Sequence, residues 1–359
     1  MNSVNNEIVK AVLDTVERFA SREIADEVFE IDKYPYSDYA AKALKGAVEA
    51  GLLLTTVPEE YGGTGMPPNM WARILEKVAY VDAGFAAGLM AHAMALQAIL
   101  DHADKRVVED ILEKAPLAYP IYHRVGDMEN MPELSPDGTT VSGRAKMIAN
   151  APVAQKAVIV ALREDEPCLC LVHLTDEARP EPIETLGLRA CPVGDIVMDK
   201  IDAADISVLV RGKKAIDALH GSFYSSATAI ILSTLKASTD YAIEYGRERY
   251  QGGQAISNHT QLRIMYSTMQ VEHKSLSLAW DKSLDPEVDP EACMALKILT
   301  GEHAIRGTTD GVQLLGGYGY TMEYPQEKRM RDARQASELL GSPPRQKMAL
   351  INGMLDGGD

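Results

Sequence analysis

Most of what this sequence reveals comes from one stretch, Gln313-Leu-Leu-Gly-Gly-Tyr-Gly-Tyr320, which runs directly into Thr321-Met-Glu-Tyr-Pro-Gln-Glu-Lys-Arg-Met-Arg-Asp-Ala-Arg334. Gly316, Gly317 and Gly319 lack a Cβ atom, so the backbone there tolerates positive φ and the close approach of another molecule. Taken alone, Gly-Gly-x-Gly is also typical of a turn that leads from a helix into a loop. The stretch therefore indicates either a ligand-contacting backbone or a simple turn, and the rest of the chain decides between them.

The composition bounds the class of protein. With 359 residues, of which 46% are hydrophobic and 25% charged, the chain is long enough for two or three cooperating units. A net charge of -16 argues against nucleic acid and anionic membranes as partners, because both need a basic surface. No apolar run approaches the about 20 residues of a spanning helix, and the start lacks the basic and apolar regions of a signal peptide. We therefore expect a cytoplasmic protein without a membrane span.

The cysteines show no metal-ligand spacing beyond one Cys-x-Cys. In the alternating run from Cys168 to His173, both thiols are predicted on one face of a strand. We expect a buried, reduced pair there and no metal site. The four cysteines are Cys168, Cys170, Cys191 and Cys293.

The sequence pattern changes twice along the chain. Residues 1–115 have helical periodicity, with apolar residues recurring at helix spacing. Residues 116–210 contain short β-rich runs separated by turn residues. Residues 211–359 are helical again, with long helices predicted over Ile216 to Arg249, His259 to Asp281 and Pro290 to Leu315. This predicts an α+β protein with an N-terminal α-helical domain, a small antiparallel β-barrel or sandwich in the middle and a C-terminal helix bundle.

Several motifs together resemble the acyl-CoA dehydrogenase family, and the resemblance covers essentially the whole chain. They are the Gln313 to Arg334 stretch, Pro58-Glu-Glu-Tyr-Gly-Gly63, Leu75-Glu-Lys-Val-Ala79 and Gly143-Arg-Ala-Lys-Met-Ile-Ala-Asn150. The α, β, α order agrees with that family's fold. The resemblance implies FAD as cofactor and α,β-dehydrogenation of an acyl-CoA thioester, with electrons passing to an electron-transfer flavoprotein.

The catalytic base that the resemblance implies is missing. The family carries a glutamate immediately before a Gly-Thr pair, and this chain has Leu340 before Gly341. The family's second known base position, just before an arginine, corresponds to Phe223 followed by Tyr224. Glu338 lies two residues before Leu340, and on a helix that shift would turn its side chain about 200° away. We therefore expect no catalytic residue here, although three other side chains could handle protons if suitably placed: His123, His220 and Tyr224.

The flavin-ring side of the implied cofactor site is also altered. The family's Thr-Glu-Pro-Gly-Ala-Gly-Ser-Asp loop corresponds to Tyr122-His-Arg-Val-Gly-Asp127, which is shorter and has its hydroxyls misplaced. The family's Trp-Ile-Thr triplet corresponds to Met147-Ile148-Ala149, and alanine offers no hydrogen bond. Each lost polar partner at a buried edge costs about 1 to 3 kcal/mol. We expect FAD to be held weakly at this subunit's own ring site.

The half of the site that a subunit lends to its neighbour is better preserved. By resemblance, Arg249 meets the FAD pyrophosphate across a dimer interface, and Gln313, Gly316 and Gly317 reach the ADP part. His259 lies in the same surroundings and is assigned to the cofactor site with them. An ordinary exposed arginine at a helix end is the alternative for Arg249. Two departures, Gly252 for phenylalanine and Thr260 for glutamine, indicate a loosely held adenine end.

This pattern leads to a first hypothesis: the chain is a non-catalytic partner subunit of a heteromeric FAD-dependent acyl-CoA dehydrogenase. Its partner would be a homologous, catalytically complete subunit, with one FAD shared at the interface. The alternative is a complete enzyme of altered chemistry that needs no glutamate base, such as oxidative decarboxylation or elimination on a CoA ester. A third class is a structural or regulatory homologue that binds neither FAD nor CoA.

The end of the chain predicts an obligate assembly. The run from Arg345 to Leu355 is amphipathic, and its apolar residues fall on one stripe at helix spacing. Such a stripe on a monomer would favour aggregation. We therefore expect a dimer or, with the partner, an α2β2 heterotetramer. The stripe consists of Met348, Leu350, Ile351, Met354 and Leu355.

Overall fold

A computed structural model describes residues 3–25, 28–34, 39–112, 116–123, 131–135, 137, 139–202 and 205–355. Its helices lie at the two ends of the chain and its main sheet lies between them, which confirms the predicted α+β class and the α, β, α order. The domain boundaries at 115/116 and 210/211 stay predictions.

The helices of the N-terminal part pack through apolar faces. Helix α4 begins at Pro68 with proline in its first turn, where a missing N–H costs nothing. Asp82 separates α4 from α5 and caps α5, because its Oδ1 accepts the Phe85 amide at 2.7 Å. The helices are α1 (Ser3–Phe19), α2 (Val28–Ile31), α3 (Tyr39–Glu49), α4 (Pro68–Val81), α5 (Ala83–His102) and α6 (Lys105–Leu112).

Helix α5 corrects one expectation. It is long and apolar enough to cross a membrane by length and composition, and no other helix among the described residues is. However, 83% of its most apolar window is buried inside the protein, so it is a core helix of the fold. The expectation that no apolar run approaches spanning length was wrong. Small residues such as Ala86 and Ala93 let neighbouring elements pack closely against it.

The middle part is an eight-stranded sheet in the order β6-β7-β3-β2-β4-β5-β8, with β1 beside β4. It is mainly antiparallel, as predicted, but β1 and β2 each pair with β4 in parallel, which the sequence pattern did not predict. The strands are β1 (Leu117–Ala118), β2 (Glu133–Leu134), β3 (Thr140–Ala149), β4 (Lys156–Arg163), β5 (Glu166–His173), β6 (Ala178–Ile183), β7 (Val193–Asp202) and β8 (Ile206–Arg211).

The thiols of Cys168 and Cys170 lie on one face of β5, as predicted, with their sulfur atoms 3.7 Å apart. Both are fully buried among apolar side chains of the sheet. Cys191 and Cys293 are also free and buried. The structure thus places the pair inside the β core, away from solvent.

The C-terminal part contains the long helices that the periodicity predicts, with each boundary within three residues of the prediction. A two-stranded hairpin, β9 (Tyr250–Gln251) and β10 (Gln254–Ala255), separates the first two of them. The helices are α7 (Lys213–Glu248), α8 (Thr260–Ser283), α9 (Pro290–Leu314), α10 (Pro325–Ala336) and α11 (Pro343–Leu355).

The apolar stripe of α11 divides between two environments. Met348, Ile351 and Leu355 are 58%, 41% and 74% exposed, whereas Leu350 packs against the main core. The Met354 side chain lies outside the described part of the chain. Leu350 therefore packs α11 against the protein. The three exposed residues form an apolar surface on α11, which is the surface from which we predict an assembly.

A buried ion cluster joins α10 to the rest of the protein. Lys328 Nζ donates a 2.6 Å hydrogen bond to Asp332 and lies 2.9 Å from Asp82 Oδ2, as an ion contact rather than an aligned hydrogen bond. Asp332 Oδ1 in turn accepts the Leu188 amide at 2.6 Å. Burial alone lowers the pKa of Lys328, but Asp332 and Asp82 outweigh burial and raise it. The cluster thereby fastens α10 to the start of α5 and to the segment between β6 and β7.

We predict that Lys328→Met destabilises the fold by about 3 to 5 kcal/mol, because it leaves two buried carboxylates without their counter-charge. Urea unfolding followed by circular dichroism measures this. Lys282→Met is the matched control, since Lys282 pairs with Asp285 on the surface and its loss should leave the midpoint unchanged. Equal midpoints for the two variants would show that the cluster contributes nothing to stability.

Candidate functional site

One open groove of about 710 Å³ brings together all five residues assigned to the cofactor from the sequence: Arg249, His259, Gln313, Gly316 and Gly317. The end of α7, the β9–β10 hairpin, the start of α8 and the end of α9 form its walls. A volume of this size lies within the range of small-molecule and cofactor sites. The residues come from positions up to 68 apart in sequence, so the fold and not chain proximity gathers them.

The β9–β10 hairpin shapes one wall of the groove. Its turn residues Gly252 and Gly253 have φ of 64° and 84°, which suits the tight two-residue turn between antiparallel strands. A Cβ on Gly252 would lie 3.2 Å from Cε1 of His259, so glycine also makes room for that ring. A phenylalanine at this position, as the resemblance implies for the family, would therefore meet the imidazole of His259.

The hairpin holds the His259 ring at both nitrogens. Nε2 lies 3.0 Å from the carbonyl oxygen of Gln251, which can only accept, so Nε2 carries the proton and donates. Nδ1 lies 3.1 Å from the side-chain nitrogen of Gln254, which donates to it. The His259 ring therefore lines the groove in a fixed orientation, and both of its nitrogens are hydrogen-bonded to residues of the hairpin.

Arg249 is the cation of the groove. It lies just after α7 and is exposed, and its guanidinium lies 5.7 Å from the centre of the Tyr318 ring. No carboxylate among the described residues forms an ion pair with it. A guanidinium held over an aromatic ring without a counter-charge is well suited to bind an anion, and phosphate can accept two of its N–H groups.

The end of α9 supplies the facing wall. Gly316 has φ of 62° directly after the last turn of α9, so its conformation is that of a helix-ending glycine. The helix-to-loop alternative considered for this motif is therefore present. A Cβ on Gly316 or Gly317 would meet nothing within 4 Å, so no protein contact demands glycine there. The two glycines therefore leave space free along the groove. The exposed Gln313 lines the same groove.

The mouth of the groove is rich in exposed aromatic rings. Tyr250, Tyr318 and Tyr320 are 70%, 45% and 69% exposed, and Met322 is 59% exposed. Tyr318 packs against Tyr324 with 5.2 Å between ring centres. Tyrosine and methionine are enriched where proteins contact other proteins. The groove is thus open on a side that carries interface-type residues.

The family base position is closed. Leu340 is fully buried, has φ of 58°, and donates its backbone N–H to the Ile121 carbonyl at 2.6 Å. Helix α10 ends at Ala336, so the segment from Ser337 to Leu340 is a turn and not a helix. The helical argument that pointed Glu338 to the opposite face therefore does not apply.

Glu338 is half-buried and lines a second cavity of about 540 Å³. Tyr122, His123 and Met147 line the same cavity, which places Glu338 beside the positions assigned to the flavin-ring side. The Tyr122 hydroxyl accepts a 2.9 Å hydrogen bond from Gln335. Residues 124–127 of the assigned loop lie outside the described residues. Among the described residues, Glu338 is the one carboxylate that lines this cavity, and the expectation from the sequence that its side chain points away missed this.

A buried lysine holds the turn in place. Lys297 Nζ, on α9, donates to the carbonyls of Ser337 and Gly341 at 2.6 and 3.0 Å, and to Gln346 Oε1 at 3.1 Å. Burial lowers the pKa of Lys297 to about 7, and the charge of Glu338 opposes that shift. No sequence pattern singled out Lys297, because a lysine in a helix is usually exposed.

Apolar side chains occupy both assigned base positions. Phe223 and Tyr224 are 7% and 4% exposed and belong to the same apolar cluster as Leu340. His220 is also buried, and its Nε2 lies 3.1 Å from the Tyr119 hydroxyl. Both assigned base positions thus carry buried apolar side chains, Phe223 also lines a separate cavity of about 740 Å³, and His220 has a protein partner.

Met147 and Ala149, the two substitutions assigned to the flavin-ring side, lie in strand β3 of the sheet. Ala149 is fully buried, and its N–H and carbonyl both pair with Tyr119. Met147 has φ of 56°, and its N–H donates to Asp195 Oδ1 at 2.9 Å. Neither side chain offers a hydrogen bond to a flavin. The described residues of this region therefore do not fit a flavin ring as the family binds it, whereas those of the groove fit a dinucleotide phosphate.

Comparison with known proteins gives consistent matches over the chain. The family model for the acyl-CoA dehydrogenase N-terminal domain matches residues 6–115, and that for the C-terminal domain matches residues 225–355. A cyclohex-1-ene-1-carbonyl-CoA dehydrogenase of Syntrophus aciditrophicus is 26% identical and covers 95% of this chain and 88% of its own. A 3-(aryl)acrylate reductase of Clostridium sporogenes is 21% identical and covers 94% and 96%.

A solved structure agrees in fold. The glutaryl-CoA dehydrogenase of Mycobacterium smegmatis in complex with FADH2 superimposes with a TM-score of 0.85 at 18% identity, over 100% of this chain and 96% of its own. At that identity the likeness concerns the fold alone. The ring-side substitutions at Met147 and Ala149 fall between the two segments that the family models match.

We predict that Lys297→Met loosens the turn that carries Leu340. Three buried oxygens lose their donor, and the expected cost is about 3 kcal/mol. Hydrogen exchange at residues 337–341 should accelerate while exchange in α7 stays unchanged. Lys347→Met is the control, because Lys347 lies on the exposed side of α11 in a surface ion pair with Glu302. Unchanged exchange at the turn in Lys297→Met would contradict the assignment.

Proposed function

The chain belongs to the acyl-CoA dehydrogenase family, and we propose that within it this protein is the non-catalytic subunit of a heteromeric FAD-dependent acyl-CoA dehydrogenase. One observation carries the proposal. In one chain, the five assigned residues line a single open groove, whereas the assigned base position holds the buried Leu340. The preserved residues are those that a subunit of this family contributes to the FAD site of its neighbour. The position that lacks its usual residue belongs to the subunit's own active site.

The complex oxidises an acyl-CoA thioester between its α and β carbons. FAD would supply the acceptor for the β-hydrogen, which leaves as hydride, and a glutamate of the homologous subunit would remove the α-proton. Electrons then pass to an electron-transfer flavoprotein. This chain takes no part in proton transfer, because neither Leu340 nor Phe223 can accept a proton. The acyl-CoA chemistry named for the Syntrophus relative supports this substrate class.

The groove supplies the ADP-side contacts across the subunit interface. Arg249 meets the pyrophosphate with its unpaired guanidinium, and the Gly316 and Gly317 backbone lies along the dinucleotide where no Cβ intervenes. The exposed tyrosines at the mouth contact the partner subunit. The FADH2 complex of the structurally similar glutaryl-CoA dehydrogenase supports FAD as the cofactor.

The protein works in the cytoplasm. Its four cysteines are buried and free, which suits a reducing compartment. With its partner it forms an α2β2 assembly with one FAD for each pair of unlike subunits. The exposed apolar residues of α11 and of the groove mouth supply surface for such contacts.

A second candidate is favoured by the position of Glu338. This candidate is a complete enzyme of altered chemistry which, unlike the alternative predicted from the sequence, would use a glutamate, because Glu338 would act in the cavity that it shares with His123 and Met147. Such an enzyme would carry out elimination or oxidative decarboxylation on a CoA ester. Glu338→Gln separates the candidates, since it would abolish turnover in the second and leave the turnover of the complex unchanged in the first.

We predict that the isolated chain has no acyl-CoA dehydrogenase activity and that Leu340→Glu does not restore it. The new carboxylate would lie in a packed apolar core, where burial keeps it protonated, and the ring side would still lack its polar partners. Flavin bleaching with a panel of saturated acyl-CoA esters tests both proteins in the presence of added FAD. Turnover by Leu340→Glu alone would mean that the ring side is intact.

We predict that Arg249→Ala lowers FAD retention by the complex. It removes one charge-assisted phosphate contact, worth roughly 1.5 to 3 kcal/mol, or about ten- to a hundredfold in the dissociation constant. Arg247→Ala is the matched control, because Arg247 is exposed two residues earlier and does not line the groove. FAD titration into the three complexes measures the effect. If Arg249→Ala and Arg247→Ala bind FAD equally, the dinucleotide lies elsewhere.

A further inference from the structure

The cavity of about 740 Å³ that Phe223 lines lies between the N-terminal helices and the first turns of α7. Its other walls include the start of α4 and the end of α5. It shares no lining residue with the Arg249 groove or with the cavity of Glu338. Its volume lies within the range of small-molecule sites. Neither the proposed cofactor contacts nor the second candidate function makes use of it.

The lining of this cavity divides into an apolar inner end and a polar rim. Trp71, Leu219 and Phe223 are buried, so they form the inner end. Asp101 and Ser222 are exposed, so they lie at the rim. A molecule that fills the whole cavity must therefore have an apolar part that is buried inside and a polar part near solvent.

The rim is negatively charged. Among the described lining residues, Asp101 is the one carboxylate, and none is a lysine or an arginine. Gln97 Nε2 donates a 2.7 Å hydrogen bond to Asp101 Oδ1, which orients the carboxylate and leaves it further capacity to accept. No cation in the described part of the chain forms an ion pair with Asp101. Asp101 also lies in the last turn of α5, where the helix dipole adds negative potential.

We propose that this cavity binds an organic ammonium ion with an apolar tail. The tail lies against Trp71, Leu219 and Phe223, and the ammonium group donates to the carboxylate of Asp101. The net charge of -16 also attracts cations to the protein over longer distances. A fatty acid or another anion fits the rim poorly, because its charge would face Asp101 without a lysine or arginine to pair with.

Phe223 makes the inner end suitable for an apolar tail. It occupies the second base position that the family resemblance assigns, and a glutamate there would place a carboxylate beside the tail. Burial of apolar surface against a phenylalanine is favourable, whereas burial of an unpaired charge is costly. The proposal concerns this chain alone and depends neither on FAD nor on the unlike partner.

Three eight-carbon probes with different head groups test the proposal in calorimetric titrations of the isolated full chain at pH 7. We expect octylamine to bind at one site per chain. Octanol should bind about fivefold more weakly because it lacks the charge, and octanoate should bind more weakly still. Octylamine that binds no more tightly than octanol or octanoate, or that does not bind, overturns the proposal.

Asp101→Asn removes the charge of the rim and keeps the size of the side chain. Its affinity for octylamine should fall about fivefold while its affinity for octanol stays the same, a split that a folding defect would not produce. Asp199→Asn is the matched control, because Asp199 is exposed on β7 and does not line the cavity. Equal octylamine affinities for the two variants contradict the role of Asp101 and with it the proposal.

A variant that narrows the cavity shows whether the probes bind there. Ala218 is exposed on the α7 wall, so a phenylalanine at this position reaches the cavity without burying a polar group. Ala218→Phe should weaken the binding of octylamine and octanol alike, by at least about tenfold, through steric exclusion. Unchanged binding would place the probes elsewhere on the protein and overturn the proposal. Because no FAD or homologous subunit is present, either result leaves the assignment of the Arg249 groove untouched.

Discussion

The arrangement of this protein depends on one buried cation, Lys328, placed between Asp82 and Asp332. Asp82 also caps α5 and Asp332 also binds the Leu188 amide, so the three charges join the N-terminal helices, the β part and α10. Arg331, one turn further along α10, adds a second anchor through its ion pair with Asp32, and it also pairs with Glu327 within the same helix. Helix α10 is thereby held in place. The segments on either side of it are held with it: the glycine turn before the helix and the Leu340 turn after it.

The segments before and after α10 differ in whether they leave a binding surface accessible. Before α10, the Gly316 to Tyr320 turn keeps an open groove with a free guanidinium, as expected for a surface that meets a charged dinucleotide. After α10, the turn held by Lys297 directs Leu340 into the core. The same rigid element thus supports an open groove at one end and a buried leucine at the assigned base position at the other. A leucine at a buried position costs little stability compared with a carboxylate, because it buries apolar surface and leaves no unpaired charge.

The sequence predicted much of this because strong periodicity and specific motifs survive in it. The long helices α7, α8 and α9 follow from 3.6-residue spacing, and the groove residues follow from family resemblance. Glu338 was misplaced because its orientation depends on where α10 ends, and helix ends are weakly encoded. Lys297 and the parallel pairing of β1 and β2 with β4 depend on contacts between distant segments, which local patterns do not carry.

The central claim is that this chain lends cofactor contacts and supplies no chemistry. Flavin counting tests it most directly: the isolated chain and its complex with the homologous subunit are purified, and FAD absorbance is compared with the number of each chain. We expect a colourless isolated chain and one FAD for each pair of unlike subunits. An isolated chain that carries one FAD per copy, or a complex with two per pair, would contradict the account.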